Sequence, residues 1–229
     1  MSIILNIDTA IDTAHISIAK DGEVVAALSN SEQKDHGAFL QPAIKALLKN
    51  TALSILELDA IAISVGPGSY TGLRVGMASA KGLCYALNKP LITIGTLEIL
   101  AFAAIMETSK EILAASSLYC PMIDARRMEV FTALYDSNLQ PVSDPCAMIL
   151  DENSFAYRLL KNKILFFGNG AKKWELIFNH ENASFIPVLS NPLAMSKLAH
   201  KKYGHNDFAD LAYSEPLYLK EFFGGPAKN

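Results

Sequence analysis

The sequence predicts an α/β protein made of two similar halves, each a mixed sheet flanked by helices. Three observations carry this. Short β-branched runs alternate with longer stretches of helical period, the pattern of strands joined by helices. The order strand, strand, strand, helix, strand, glycine turn, helix occurs twice along the chain. The landmarks of the two passes match: Asp8 and Asp124 each close a first strand, and Gly66 and Gly168 each close a fourth.

Taken in order, residues 3–8, 14–19 and 24–29 read as strands, with Asp21-Gly22 the hairpin turn between the last two. Residues 35–50 read as a helix because Phe39, Leu40, Ala43, Ile44, Leu47 and Leu48 share one face. Pro42 inside it predicts a kink or a late start. The run Ile61-Ala62-Ile63-Ser64-Val65 is a buried strand, broken by Gly66-Pro67-Gly68. Ser69 or Thr71 then caps a helix over 70–88. A strand over 91–94 and a helix over 97–106 complete the first half. In the second half, 118–124, 130–135, 146–150 and 164–167 read as strands and 152–160 as a helix. Another helix starts near Ala171, after Gly168-Asn169-Gly170. A last helix over 192–203 is expected to pack back on the first half, and Gly224-Gly225-Pro226 predicts a loose tail over 222–229. Charge returns at Glu107 to Glu111, so the expected units are 1–107 and 108–229. The architecture that fits is a pair of ribonuclease-H-like units, internally duplicated, with a cleft between them.

Composition narrows the function classes. Of 229 residues, 51% are hydrophobic and 19% charged, which suits a well-buried globule rather than a disordered chain. The net charge of −3, with basic residues in pairs at most (Arg126-Arg127, Lys172-Lys173, Lys201-Lys202), argues against a broad nucleic-acid surface. Cys84, Cys120 and Cys146 follow no pairing or ligand spacing and read as buried free thiols of a reducing compartment. No signal peptide is evident, and the most apolar stretch, 99–106, is far short of the ~20 residues that span a bilayer. A cytoplasmic location is expected.

The turn at Gly66-Pro67-Gly68-Ser69-Tyr70-Thr71-Gly72 draws most of the functional reading. Strand, glycine turn and helix start together present N–H groups to an anion or a close partner. The lysine of a P-loop is absent, and the glycine spacing is one residue off the dinucleotide fingerprint. Gly72, Gly76, Ala80 and Cys84 then fall four apart on one ridge of small side chains. That ridge packs either on the chain's own sheet or on a helix of another subunit. Asp8 and Asp124 at strand ends suit an acid/base pair or a metal, and more simply the capping of turns. Ser69 lacks the Gly-x-Ser-x-Gly elbow, so no hydrolase triad is set up.

The string Gly-Pro-Gly-Ser-Tyr-Thr-Gly-Leu-Arg-Val-Gly, with Lys81-Gly82-Leu83 behind it, resembles the TsaB (YeaZ) family. The likeness continues through Ile7-Asp8-Thr9, His36 before Leu40-Gln41-Pro42, Thr96-Leu97-Glu98, Asp124-Ala125-Arg126-Arg127-Met128-Glu129-Val130, Gly168-Asn169-Gly170 and Pro216-Leu217-Tyr218-Leu219. It implies the fold plan shared with actin, Hsp70 and sugar kinases. It further implies a non-catalytic scaffold required for threonylcarbamoylation of adenosine 37 in tRNA, pairing with a TsaD-like catalytic subunit and recruiting a TsaE-like ATPase. That catalytic relative is expected to hold metal through two histidines four apart. Here Leu40 stands four after His36, so no metal is expected. The implied partner interface comprises His36, Phe39, Leu40, Ile44 and Leu47, with Gly72, Arg74, Gly76 and Ala80. The implied nucleotide or anion loop comprises Asp8, Gly66, Gly68, Ser69, Tyr70 and Thr71. No cofactor of its own is expected, ATP or ADP having a place only at the interface of the complex. A homodimer is expected when the chain is alone, with no tight tRNA binding and no membrane association. The alternative is an ATP-dependent kinase or hydrolase of the same superfamily, using Asp8 and the 66–72 loop.

Overall fold

The structure is a computed structural model that describes residues 1–31, 36–108 and 118–220. The first half runs β1 (Ile3–Asp8), β2 (Ala14–Lys20), β3 (Glu23–Asn30), α1 (His36–Thr51), β4 (Ala60–Ser64), α2 (Tyr70–Leu87), β5 (Leu91–Ile94) and α3 (Thr96–Glu107). The second half runs β6 (Leu118–Asp124), β7 (Glu129–Tyr135), β8 (Pro141–Ile149), α4 (Ala156–Leu159), β9 (Ile164–Phe167), α5 (Ala171–Glu175), β10 (Ala183–Phe185) and α6 (Pro192–Gly204).

The duplication is explicit in the sheets. One has the order β3-β2-β1-β4-β5 and the other, read the same way, β8-β7-β6-β9-β10. In each, the first strand is antiparallel to the second (Asp8 opposite His15, Asp124 opposite Val130) and parallel to the fourth. This is the ribonuclease-H-like plan, twice.

Central strands read as continuous apolar runs because both faces are covered. In β1 every residue is buried, with alternate side chains going to opposite cores. Leu5 and Ile7, with Ile61 and Ile63 of β4, meet Leu40, Ile44 and Leu47 of α1 and Met77 and Ala80 of α2. Ile4, with Ala60 and Ala62, faces the other way. That core also takes in Leu97 and Leu100 of α3, Met195 and Leu198 of α6, and Tyr119, Ile123 and Phe167 of the second sheet. The outer face of the second sheet is closed by an aromatic group around Trp174 and Phe166.

Although α6 follows the second sheet in sequence, it lies on the first: Asn6 Nδ2 donates to Ser196 Oγ at 3.1 Å, and Lys197 pairs with Glu23 at 2.7 Å. The expected helix over 152–160 shortens to α4, because Asp151 Oδ1 accepts from Asn153 N and Ser154 Oγ in a local turn. β8 is longer than expected, and β10 is an additional strand. α1 begins at His36 and runs through Pro42, so there is no late start. The expected unit boundary at 107–111 falls largely in 109–117, outside the described residues, as does the tail over 222–229.

Candidate functional site

Beyond Ser64 the chain turns sharply at Gly66, whose φ of +109° is left-handed. A Cβ there would fall 2.8 Å from the carbonyl oxygen of Leu217, so close approach as well as conformation demands glycine. Ser69 then caps α2, its Oγ accepting from Gly72 N at 3.3 Å. The socket formed by this turn is filled from within. Ser69 N donates to Ala10 O at 2.6 Å, and Thr9 Oγ1 donates to Gly72 O at 2.8 Å. A Cβ on Gly72 would collide with Thr9 O, and one on Gly76 with Thr9 Oγ1. Ala80 is fully buried further along the same ridge. The expectation that Gly72, Gly76 and Ala80 face a partner is therefore corrected: the ridge receives the chain's own β1–β2 loop and sheet.

Asp8 is corrected in the same sense. It is buried, and it does not line the cleft. Its Oδ1 accepts from Ser64 Oγ at 2.7 Å and from Ala10 N, and its Oδ2 accepts from Ser190 Oγ at 2.8 Å. The carboxylate ties β1, β4 and the segment before α6 together, and both of its oxygens take part. Gly66 too lies behind the cleft wall, while Gly68, Ser69, Tyr70 and Thr71 line the cleft.

The helix faces need a similar correction. Leu40, Ile44 and Leu47 are buried in the core under α1, and Phe39 is half-buried against it, because the apolar stripe of an amphipathic helix seeks its own sheet first. The side chain of His36 lies outside the described residues. What α1 and α2 turn outward is small: Ala38, Gln41, Ala78 and Gly82 are exposed, beside a Tyr85 that is 84% exposed. Gln41 Nε2 bridges the two helices to Ser79 Oγ at 3.3 Å.

A cleft of about 630 Å³ opens where the halves meet. Its walls are the 67–71 turn, the loop after β1, the ends of β6 and β7, and the segment 217–220. Asn169 spans it, donating to Asp12 Oδ2 at 3.0 Å while its Oδ1 accepts from Asp124 N at 2.9 Å. Asp124 Oδ1 accepts from Arg126 N and from Lys173 Nζ, both at 2.7 Å, so this aspartate caps its turn and pairs with a lysine. Arg74 is exposed and stacks 4.0 Å above the Tyr70 ring, its Nε donating to Tyr218 Oη at 3.0 Å. That hydrogen bond, with the nearby phenols, raises its already high pKa.

The family model for TsaD, a tRNA N6-adenosine threonylcarbamoyltransferase, matches residues 23–219. The tRNA threonylcarbamoyladenosine biosynthesis protein TsaB of Bacillus subtilis is 32% identical over 173 residues, 72% of this chain and 70% of that protein. The chain belongs to the TsaB family. Its Escherichia coli member is 33% identical over 95% of this chain and 94% of its own length. YeaZ from Pseudomonas aeruginosa, 22% identical, superposes with a TM-score of 0.78 over 96% of this chain and all of that one, which fixes the shared fold.

Within this TsaB fold one element at the cleft escaped the sequence reading: the strap that follows α6. Ala209 N donates to Leu91 O at the free edge of β5, and Lys81 Nζ holds the carbonyl oxygens of Ala212 and Ser214, each at 3.1 Å. Leu217 N donates to Val65 O at 2.7 Å, the Tyr218 ring lies 5.1 Å from that of Tyr70, and Lys220 pairs with Glu129 of the second half. The Pro216-Leu217-Tyr218-Leu219 run was the available signal. Its apolar residues run together like a short buried strand, yet they pack on a helix start and a cleft rim.

Proposed function

We propose that this chain serves threonylcarbamoyladenosine formation in tRNA as a non-catalytic scaffold. It pairs with a TsaD-like catalytic subunit, and a TsaE-like ATPase joins that pair in the cytoplasm. Membership of the TsaB family supports the pathway. One observation carries the scaffold role: the 66–72 turn, where a kinase or hydrolase of this superfamily would seat phosphate, is filled by the Thr9-Ala10 backbone. Asp8, which such an enzyme would use to place Mg²⁺ and phosphate, is buried and accepts from Ser64 and Ser190 instead. Any ATP or ADP is then held at the interface of the complex rather than by this chain alone.

The outward faces of α1 and α2 are the docking surface in this reading. Ala38, Ala78 and Gly82 let partner helices approach closely, and a Cβ on Gly82 would meet open space. Tyr85 supplies the large exposed ring that anchors such contacts. Two copies use the same face when the partner is absent.

Deleting the gene should abolish the modified nucleoside in bulk tRNA, read by mass spectrometry. Gly82→Arg should lose co-purification with the TsaD-like subunit while melting normally. Calorimetric titration of the lone chain with ATP and Mg²⁺ separates the rival: tight binding with turnover would favour a kinase or hydrolase.

A further inference from the structure

The sequence shows only scattered basic pairs, but the fold gathers two of them. Arg126-Arg127 forms the turn after β6, both residues left-handed at φ +71° and +50°. Lys172-Lys173 opens α5, almost 50 residues later. Because β6 and β9 are parallel neighbours, their carboxyl ends lie side by side, and α5 starts against the β6 turn. Lys173 Nζ reaches both Asp124 Oδ1 and the carbonyl of Glu129. Lys220 of the strap joins the same place by pairing with Glu129.

Five cations thus meet three carboxylates at one rim of the cleft, in a chain of net charge −3. Asp124 and Glu129 are each committed to a lysine, and Asp12 accepts from Asn169. Arg126, Arg127 and Lys172 are exposed and have no ion pair among the described residues. Aromatic rings stand beside Arg126: Phe131, Tyr70 and Tyr218 line the cleft with it and with Lys220, and Arg74 stacks on Tyr70.

We infer that this rim is a contact surface for the sugar-phosphate backbone of a single-stranded RNA segment, with Arg126, Arg127 and Lys172 on phosphates. Cations alone would suit an acidic protein equally well. Rings interleaved with the cations favour RNA, because unstacked bases lie on aromatic faces while phosphates meet arginine. The inference rests on the tRNA reading above and names the surface through which this chain touches that substrate. Three free cations give weak binding, in keeping with the overall negative charge.

The test is fluorescence anisotropy of the full chain with a labelled RNA stem-loop, titrated at about 50 and 200 mM salt. Three phosphate contacts predict a loss of affinity of roughly 20-fold across that range. Arg126→Gln/Arg127→Gln, leaving one contact, should lose only about 3-fold and bind more weakly at the lower salt. Lys161→Gln/Lys163→Gln, near the opposite end of β9, should behave as the wild type. Poly-glutamate of matched charge should compete poorly. Absence of RNA binding at the lower salt overturns the inference, as does an unchanged salt response in the arginine variant. Competition by poly-glutamate as strong as by RNA also overturns it and assigns the rim to an acidic protein. The functional reading falls separately, if tRNA from cells lacking this chain keeps its threonylcarbamoyladenosine. RNA binding through the arginines would then stand without that reaction.

Discussion

Replacing Gly76 by alanine asks α2 to accept a methyl group where Thr9 already sits. The new Cβ would overlap Thr9 Oγ1 and lie 2.9 Å from Ile63 Cδ1. Ile63 can turn its terminal methyl, whereas Thr9 is fully buried and donates to Gly72 O at 2.8 Å. Displacing Thr9 breaks that bond and strands a buried hydroxyl, at about 1–3 kcal/mol. Overpacking adds about 1–3 kcal/mol. Removing a glycine from a helix interior returns roughly 1 kcal/mol, so the expected net loss is about 3 kcal/mol. Gly82 is the internal control: it lies on the same helix, with nothing within 4 Å of its would-be Cβ. Gly82→Ala should gain the propensity term alone, about 1 kcal/mol. Urea unfolding followed by far-UV circular dichroism reads both. If Gly76→Ala proves as stable as Gly82→Ala, the ridge is not a socket for Thr9 and the assignment of Gly72, Gly76 and Ala80 to the core is wrong.

Asp8→Ala removes the acceptor of two buried hydroxyls and should lower unfolding stability by about 3 kcal/mol, measured by the same urea transition. Burial pushes the Cys84 thiol up to about 11 and the Cys120 thiol higher still. At pH 8 the folded protein should therefore leave both unreactive toward a disulfide dye, with half-buried Cys146 reacting slowly and all three reacting in urea. Desolvation raises the Glu98 carboxyl above its ordinary range, so folding favours its protonated form. The associated stability is present at acid pH and lost as pH rises through the raised pKa. Glu98→Gln should accordingly raise the melting temperature at pH 7, with the gain shrinking toward pH 4.

The central strands β1, β6 and β9 were legible because burial on both faces leaves a plain apolar run, and they fall on the residues expected, as does the edge strand β5. β10 was not, since Ala183–Phe185 is too short to show any period. The glycine ridge was visible as spacing, but spacing cannot say whose backbone fills it. The answer lay in Thr9, 63 residues away from Gly72. Likewise α1 showed its apolar stripe clearly, and the error was to offer Leu40, Ile44 and Leu47 to a partner when the chain's own sheet claims them. The cleft rim was illegible for a related reason. Lys173 and Asp124 meet across 49 residues, through a parallel strand pairing that no local pattern encodes.

The hydrogen bond from Ser190 to Asp8 spans 182 residues, and that between Ser2 and His200 spans 198. On a ribosome that adds about 5–20 residues per second, Asp8 emerges roughly 9–36 s before the hydroxyl that satisfies it. Once β5 has emerged, the first sheet has its strands but still lacks α6 and the strap that covers the edge of β5. The nascent first half is thus a waiting intermediate with an open sheet edge, the kind of surface that pairs with other chains. Its last stabilising contacts arrive only with the C-terminal part of the chain. Cotranslational folding of this protein is accordingly limited by synthesis of its second half, and chains released early are the ones exposed to aggregation.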